Sequence, residues 1–173
     1  MYARNILFSI SCLMASAAFI PVASAKTTTG KLTVKINIKP SCELKSRNNS
    51  LIDFGSADNL EKDLIMGTTD TSGIEVQCSK SIAYQIGLDA GTSPSALGDY
   101  NTRRLKSAAS QYISYNLYKD INTKAVWGND EKTSLQSTGT GGVQKFPVIA
   151  KIPKRSTPPA DDYSDTVSVI VTY

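Results

Sequence analysis

The side chains that ordinarily carry chemistry are few in this sequence, and what is missing narrows the function more than what is present. Histidine is absent from all 173 residues. Without an imidazole there is no Ser–His or Cys–His nucleophile pair and no histidine-based metal centre. The candidates left for catalysis are carboxylates. Asp161 and Asp162 in tandem, with Asp89 upstream, have the residue types of the paired acids that cleave glycosidic bonds. All three fall in loops, where aspartate chiefly forms turns by bonding nearby backbone. Tyr112, Tyr115, Tyr118 and Trp127 have the composition of a sugar-stacking platform. Successive strand residues point to opposite faces, however, so an aromatic-rich strand is read as packing on both sides of a sheet. Cys42 and Cys78 would make a metal site only with further ligands, and none stand nearby.

The compartment decides how the cysteines are read. Arg4 precedes an apolar run at residues 6–20, followed by Ala23-Ser24-Ala25. This is the layout of a cleaved signal peptide, residues 1–25, with the mature chain starting at Lys26. The run is shorter than the roughly 20 residues that cross a bilayer, and no second run of that length follows. Cys12 leaves with the leader. The exported chain keeps Cys42 and Cys78 in an oxidising compartment, where one disulfide is the simplest pairing. Closing a loop of a few dozen residues contributes about 3–4 kcal/mol through the unfolded state. The 148 residues that remain of 173 suit a single domain. The formal charge of +4 falls by one, to +3, with the loss of Arg4. The lysines are scattered rather than blocked, so nothing supports nucleic-acid binding.

Strand periodicity organises the rest. Apolar residues alternate with polar ones at Ile74, Val76 and Cys78; at Ile82, Tyr84, Ile86 and Leu88; at Ile113, Tyr115 and Leu117; and at Val167, Val169, Val171 and Tyr173. This is the period of half-buried strands. A short strand is predicted at residues 51–55, another at 103–105, and an apolar piece at 125–128. Residues 79–81 make either a hairpin or a bend in one continuous strand. Phe146, Val148, Ala150 and Ile152 alternate around Pro147, which cannot donate to a ladder and predicts an edge or a bulge. Leu64, Ile65 and Met66, inside a polar connection over 59–71, are expected to tuck onto the core. Residues 46–50, 90–101, 119–123, 129–142 and 153–162 read as turns and loops. Many short strands and no helical period predict an all-β antiparallel sandwich.

One stretch stands apart. In residues 27–39, TTTGKLTVKINIK, the residues Leu32, Val34, Ile36 and Ile38 occupy one side, and Lys31, Thr33, Lys35, Asn37 and Lys39 the other. Nothing before this ribbon in the mature chain turns back to pair with it, and the closing strand at 165–173 runs to the last residue with nothing after to cover it. Alternation establishes burial but not whose core is filled. The ribbon is either the first strand of a self-contained sandwich or a strand meant for another molecule. A loose strand at one place and an open groove at another join head to tail, a heterologous contact that generates open filaments.

These features, in order, carry a resemblance to a known family. They are the opening TTTGKLTVKINIKPSC, Phe54-Gly55 within IDFG, IEVQC ending at Cys78, and Arg104-Leu105 ahead of YNLYKD at 115–120. Trp127-Gly128 and the terminal DYSDTVSVIVTY complete the set. Together they resemble subunits of the spore coat protein U type, the domain of archaic chaperone–usher pilus rods of the Csu kind, over essentially all of residues 26–173. Asp162 stands where the family usually has glycine, and aspartate tolerates the positive φ of such a turn. Leu105 stands where methionine is frequent, at nearly equal volume.

The resemblance implies an incomplete immunoglobulin-like sandwich at 40–173, lacking its final strand and completed by donor-strand complementation, behind an N-terminal donor-strand extension at 26–39. Gly30, Leu32, Val34, Ile36 and Ile38 of one subunit would enter the groove of the next. Val167, Val169, Val171 and Tyr173 would line that groove in part, and Cys42–Cys78 would be the family disulfide. The partners implied are identical or related pilus subunits, a periplasmic chaperone that lends its own strand first, and an outer-membrane usher. The product would be a surface pilus acting in adhesion and biofilm formation, with no cofactor, metal, small-molecule substrate or catalysis. The competing expectation is a secreted carbohydrate-binding or spore-coat-like sandwich complete in itself.

Overall fold

The computed structural model describes residues 24–46, 50–68, 73–120, 122 and 125–173. The leader up to residue 23 and parts of the segments expected at 46–50, 59–71 and 119–123 lie outside these. The chain divides into two units, Met1–Asn37 and Ile38–Tyr173. In the first, the described residues hold no regular secondary structure. The alternating ribbon at 31–39 therefore does not form a strand here: a strand is held by ladder hydrogen bonds, and among the described residues no strand pairs with this segment to make them.

The second unit is all-β and antiparallel throughout. Its strands among the described residues are β1 (Cys42–Leu44), β2 (Leu64–Gly67), β3 (Ile74–Cys78), β4 (Ala83–Leu88), β5 (Arg104–Ser107), β6 (Tyr112–Ser114), β7 (Asn116–Tyr118), β8 (Leu135–Thr138), β9 (Val143–Phe146), β10 (Ile149–Ile152), β11 (Tyr163–Ser164) and β12 (Val169–Thr172). They form four three-stranded groups in the orders β1-β3-β9, β2-β10-β7, β11-β5-β6 and β12-β4-β8. One core serves all of them. Ile74, Val76, Ile86, Leu88, Ile113, Leu117, Ala150 and Ile152 are buried in a single cluster around Trp127. The Trp127 indole Nε1 donates to the Ile86 carbonyl at 2.8 Å, which satisfies the one polar atom of an otherwise apolar anchor.

The groups are joined by strands that change partner at a bend. β3 pairs with β9, and β4 pairs with β8. Residues 79–81 are thus a bend in one long ribbon and not a hairpin. At the bend, Ser81 takes φ 66°. The Ser81 N–H donates to the Gly139 carbonyl at 2.8 Å, and the Gly139 N–H donates to the Ile82 carbonyl at 2.7 Å. The two chains run so close there that a Cβ on Gly139 would lie 2.1 Å from the Ser79 carbonyl oxygen. Backbone cannot swing aside as a flexible side chain can. Gly139→Ala is expected to lower the unfolding free energy by about 1–3 kcal/mol, read as a drop in the urea midpoint.

Pro147 likewise separates β9 from β10, as its missing N–H predicts. The run at 112–118 is broken at Tyr115 into β6, which pairs with β5, and β7, which pairs with β10. The break comes where the Tyr115 N–H donates to the Arg103 carbonyl at 3.1 Å. The predicted loop at 129–142 contains β8, whose Leu135 packs against the core. Leu64 reaches the core, and Ile65 is exposed because consecutive residues of β2 cannot share a face; Met66, on the same face as Leu64, is exposed as well.

Two predicted strands are shortened or lost. Residues 51–55 have no ladder, although Ile52 and Phe54 pack on the core while Leu51 is exposed. The closing strand spans Val169–Thr172 rather than 165–173. Upstream of it, Asp165 Oδ1 accepts the Thr166 N–H at 2.8 Å, and Asp89 Oδ1 accepts the Ser168 N–H at 2.9 Å. Carboxylates replace the ladder there.

Cys42 and Cys78 are directly opposed in the β1–β3 register and form the predicted disulfide, closing a separation of 36 residues.

Candidate functional site

A cleft of about 950 Å³ opens into the second unit. Its floor is core: Ile74, Leu88, Ile113, Leu117, Ala150 and Ile152 all line it. One margin is the ladder-free segment 50–58, and the other is the chain from Thr157 to Val169. These side chains border the cleft while remaining only 1–7 % exposed.

The edge beside the cleft can be assigned atom by atom. The Asp89 N–H donates to the Ser168 carbonyl at 3.1 Å, while the Leu88 N–H donates away from β12, to the Gly128 carbonyl at 3.0 Å. In an antiparallel pair the bonded side alternates residue by residue. With Val169 opposite Leu88 and Val171 opposite Ile86, it is Ile170 and Thr172 that face β4. Val169 and Val171 turn their N–H and C=O groups to the outer edge, on which no strand lies among the described residues. The same two valines send their side chains to the core. An incoming strand would find main-chain partners and apolar neighbours at the same positions.

The residues expected to form the acceptor divide accordingly. Val167 and Val169 line the cleft. Val171 packs on the core just beyond it. Tyr173 is 61 % exposed and lies beside Tyr84, Gln85 and Gln136 in a small separate hollow. The residues expected to form the donor, described by themselves, are bare. Leu32, Val34, Ile36 and Ile38 are 89, 84, 87 and 78 % exposed, and a Cβ placed on Gly30 meets nothing within 4 Å. Full burial of a side chain of this kind is worth about 1.5–3 kcal/mol, so four of them in one row represent a large unrealised gain.

Beneath the cleft wall lies a polar cluster that periodicity does not reveal. Arg103 is fully buried. Its Nε donates to the Asp89 carbonyl at 2.7 Å, and its Nη2 donates to the carbonyls of Leu88 and Trp127 at 2.8 and 2.9 Å. Burial pulls the guanidinium pKa down from its ordinary value, opposed by the nearby Tyr115, Asp89 and Asp165; so basic a group stays charged. Tyr115 OH donates to Asp165 Oδ2 at 2.7 Å. Burial and that carboxylate push the phenol far above its usual range. Asp165 Oδ1 also accepts from the Thr92 N–H and hydroxyl. Gly91, at φ 76°, makes room for this carboxylate: a Cβ there would lie 2.1 Å from Asp165 Oδ2. The network ties the start of the closing segment to the floor of the cleft. The only sequence signal for it was an arginine in a strand context.

The carboxylates proposed for chemistry serve the backbone instead. Burial raises the pKa of Asp89, but bonds from Ser168 and Gly91 and the charge of Arg103 outweigh it and hold the carboxyl below its ordinary value. A bond from Ser107 and the Asp162 N–H lower Asp161. A general acid for glycoside cleavage needs the opposite shift. The depressed Asp89 pKa makes its contribution to stability complete above the unfolded value of about 3.9 and lost as pH falls through the folded one. The urea midpoint should therefore fall between pH 5 and pH 2. Asp89→Asn, which keeps the Oδ1 acceptor, should flatten part of that fall.

The aromatic platform is dispersed as well. Tyr115 and Trp127 are buried, and Tyr112 lies under the Arg104 guanidinium at 4.1 Å.

Residues 28–170 match the Spore Coat Protein U domain. The chain is 30 % identical to Protein U of Myxococcus xanthus, over 98 % of each sequence. Its fold is similar, at a TM-score of 0.54 and 23 % identity over 79 % of this chain, to one in the crystal structure of the CsuC–CsuE chaperone–tip adhesion subunit pre-assembly complex from the archaic chaperone–usher Csu pili of Acinetobacter baumannii. This chain spans 40 % of the length of the chain it matches there. The likeness shows the sandwich to be immunoglobulin-like, the fold class that the family resemblance implied. With a domain match over most of its length and a relative similar from end to end, the chain belongs to the Spore Coat Protein U domain family.

Proposed function

We propose that this protein is a structural subunit of a surface pilus assembled by the chaperone–usher pathway. The extension at 26–39, with Gly30, Leu32, Val34, Ile36 and Ile38 as the inserted face, enters the cleft of a neighbouring copy in the domain at 40–173. There it completes the sandwich along the edge presented by Val167, Val169 and Val171. The observation that carries this reading is a pair of complementary features in one chain: four apolar side chains left bare at alternate positions, and a cleft of about 950 Å³ with an apolar floor beside an unpaired strand edge. Strand addition satisfies the edge groups and fills the floor together. The match to the Csu complex supports a periplasmic chaperone as the first occupant of the cleft. An outer-membrane usher would oversee the exchange. Export past a cleaved leader at 1–25, a place on the cell surface, and a role in adhesion and biofilm formation follow from the same reading, as does the absence of catalysis.

Assembly through inserted strands resists detergent until heated. The exported protein should migrate in SDS gels as a ladder without boiling and as one band after it. A single monomer band before heating would contradict assembly by strand insertion and favour the self-contained module. Glycan binding by the isolated domain would support that second reading further.

A further inference from the structure

Charge is segregated across the two features just paired. The residues lining the cleft include Asp53, Asp58, Asp161, Asp162 and Asp165 and, among those described, no lysine or arginine, in a chain whose Lys and Arg outnumber its Asp and Glu by 19 to 15. Asp53, Asp58, Asp161 and Asp162 are exposed, the first two on one margin and the second two on the other. None takes part in the ion pairs Glu43–Lys45, Glu75–Lys145 or Asp63–Lys151. The segment 26–39 carries the converse pattern: Lys26, Lys31, Lys35 and Lys39, with no acidic residue. On an extended chain the side chains of Leu32, Val34, Ile36 and Ile38 point to one face, and Lys31, Lys35 and Lys39 point to the other. If the apolar face enters the cleft, those lysines stand at its mouth, about 13 Å apart, between two acidic margins.

We infer that the acidic margins of the cleft select the lysine-bearing face of a second copy of this chain, so that charge sets which strand enters and how fast, while the apolar floor holds it. This rests on the strand-insertion reading above. Exposed pairs add little to affinity each. Opposite fields concentrated at a cleft raise encounter rates by about 10–1,000-fold and discriminate against strands of the wrong charge.

The test uses the full chain, purified as its chaperone complex, with the growth of heat-labile SDS ladders as the rate. Wild-type assembly should be at least about tenfold slower in 1 M than in 0.01 M NaCl, where the screening length shrinks from about 30 Å to about 3 Å. One variant cancels the charge of the exposed margins and the other reverses that of the segment. Asp58→Lys with Asp162→Lys changes carboxylates that take no part in the hydrogen bonds of the described residues. Lys31→Glu with Lys35→Glu and Lys39→Glu changes only the segment. Each alone should assemble at least about tenfold more slowly than wild type at low salt. Mixed, the two should assemble faster than either alone, because lysine-bearing segments then meet intact acidic margins and glutamate-bearing segments meet margins that no longer repel them.

Wild-type rates from each variant alone would overturn the role of charge and leave strand insertion standing. A mixture no faster than its components would also overturn it, since the margin changes would then have acted on the fold. No ladder from the wild type under any condition would remove the strand-insertion reading, and this inference with it.

Discussion

Val34→Asp, expressed with the chaperone and usher, should abolish pilus ladders while the chaperone-bound subunit still accumulates. Val34 is 84 % exposed in the chain itself, so a charge there should leave the subunit's own stability within about 0.5 kcal/mol of wild type. In the proposed polymer the same carboxylate would sit on an apolar cleft floor. It would forfeit the roughly 1.5–3 kcal/mol gained by burying valine and add the penalty of an unpaired charge removed from water. Even a combined loss of about 3 kcal/mol is more than a hundredfold in the exchange equilibrium. Thr33→Asp, one residue away on the wet face, is the matched control for the introduced charge and should still assemble, more slowly than wild type at low salt as the charge inference requires. If the Val34 variant instead disappears from the periplasm, the segment belongs to the subunit's own fold and the reading is wrong.

Arg103→Ala should be the most destabilising single substitution in the described core, at about 3–5 kcal/mol. One guanidinium donates to three carbonyls, those of Leu88, Asp89 and Trp127. These come from two chain segments that meet only in the folded state. Alanine would leave the buried Leu88 and Trp127 carbonyls and the partly buried Asp89 carbonyl unsatisfied, each buried one at about 1–3 kcal/mol before relaxation, and would strip the neighbouring Asp165–Tyr115 pair of a positive charge. Arg103→Lys should recover only part of the loss, because a single ammonium on a flexible stem cannot reproduce the planar fork. The chain has one tryptophan, and it is fully buried, so Trp127 fluorescence in urea reads the difference directly. A variant within 1 kcal/mol of wild type would mean that solvent replaces the arginine and that the network is not a structural centre.

The readable parts of this protein are those governed by a local period. β3, β4 and β12 each put every second side chain into the core, and that alternation is present in the residues themselves. Pro147 marks its break because proline lacks a donor wherever it stands. β8 was not readable: within Leu135–Thr138 only Leu135 is a large apolar residue, and its strand character comes from pairing with β4 across a separation of about fifty residues. The error at 51–55 runs the other way. The alternation there is real, and Ile52 and Phe54 do face the core, but among the described residues no strand pairs with it to make a ladder. Side-chain competition hid the start of the closing segment, where Asp89 and Asp165 take amides that a strand would have used.

By itself the sequence determined an all-β class, a disulfide between Cys42 and Cys78, and one amphipathic segment at 31–39 with lysines on its wet side. The closing strand was already expected to present the unpaired edge; which of its residues turn outward, where the cleft lies, which carboxylates gather there and what Arg103 holds together were decided only by the tertiary structure. The reason is physical. Alternation and charge are properties of neighbours in the chain, whereas an open edge is a property of strands that meet from distant parts of it, and a missing partner leaves no mark on the residues it would have covered.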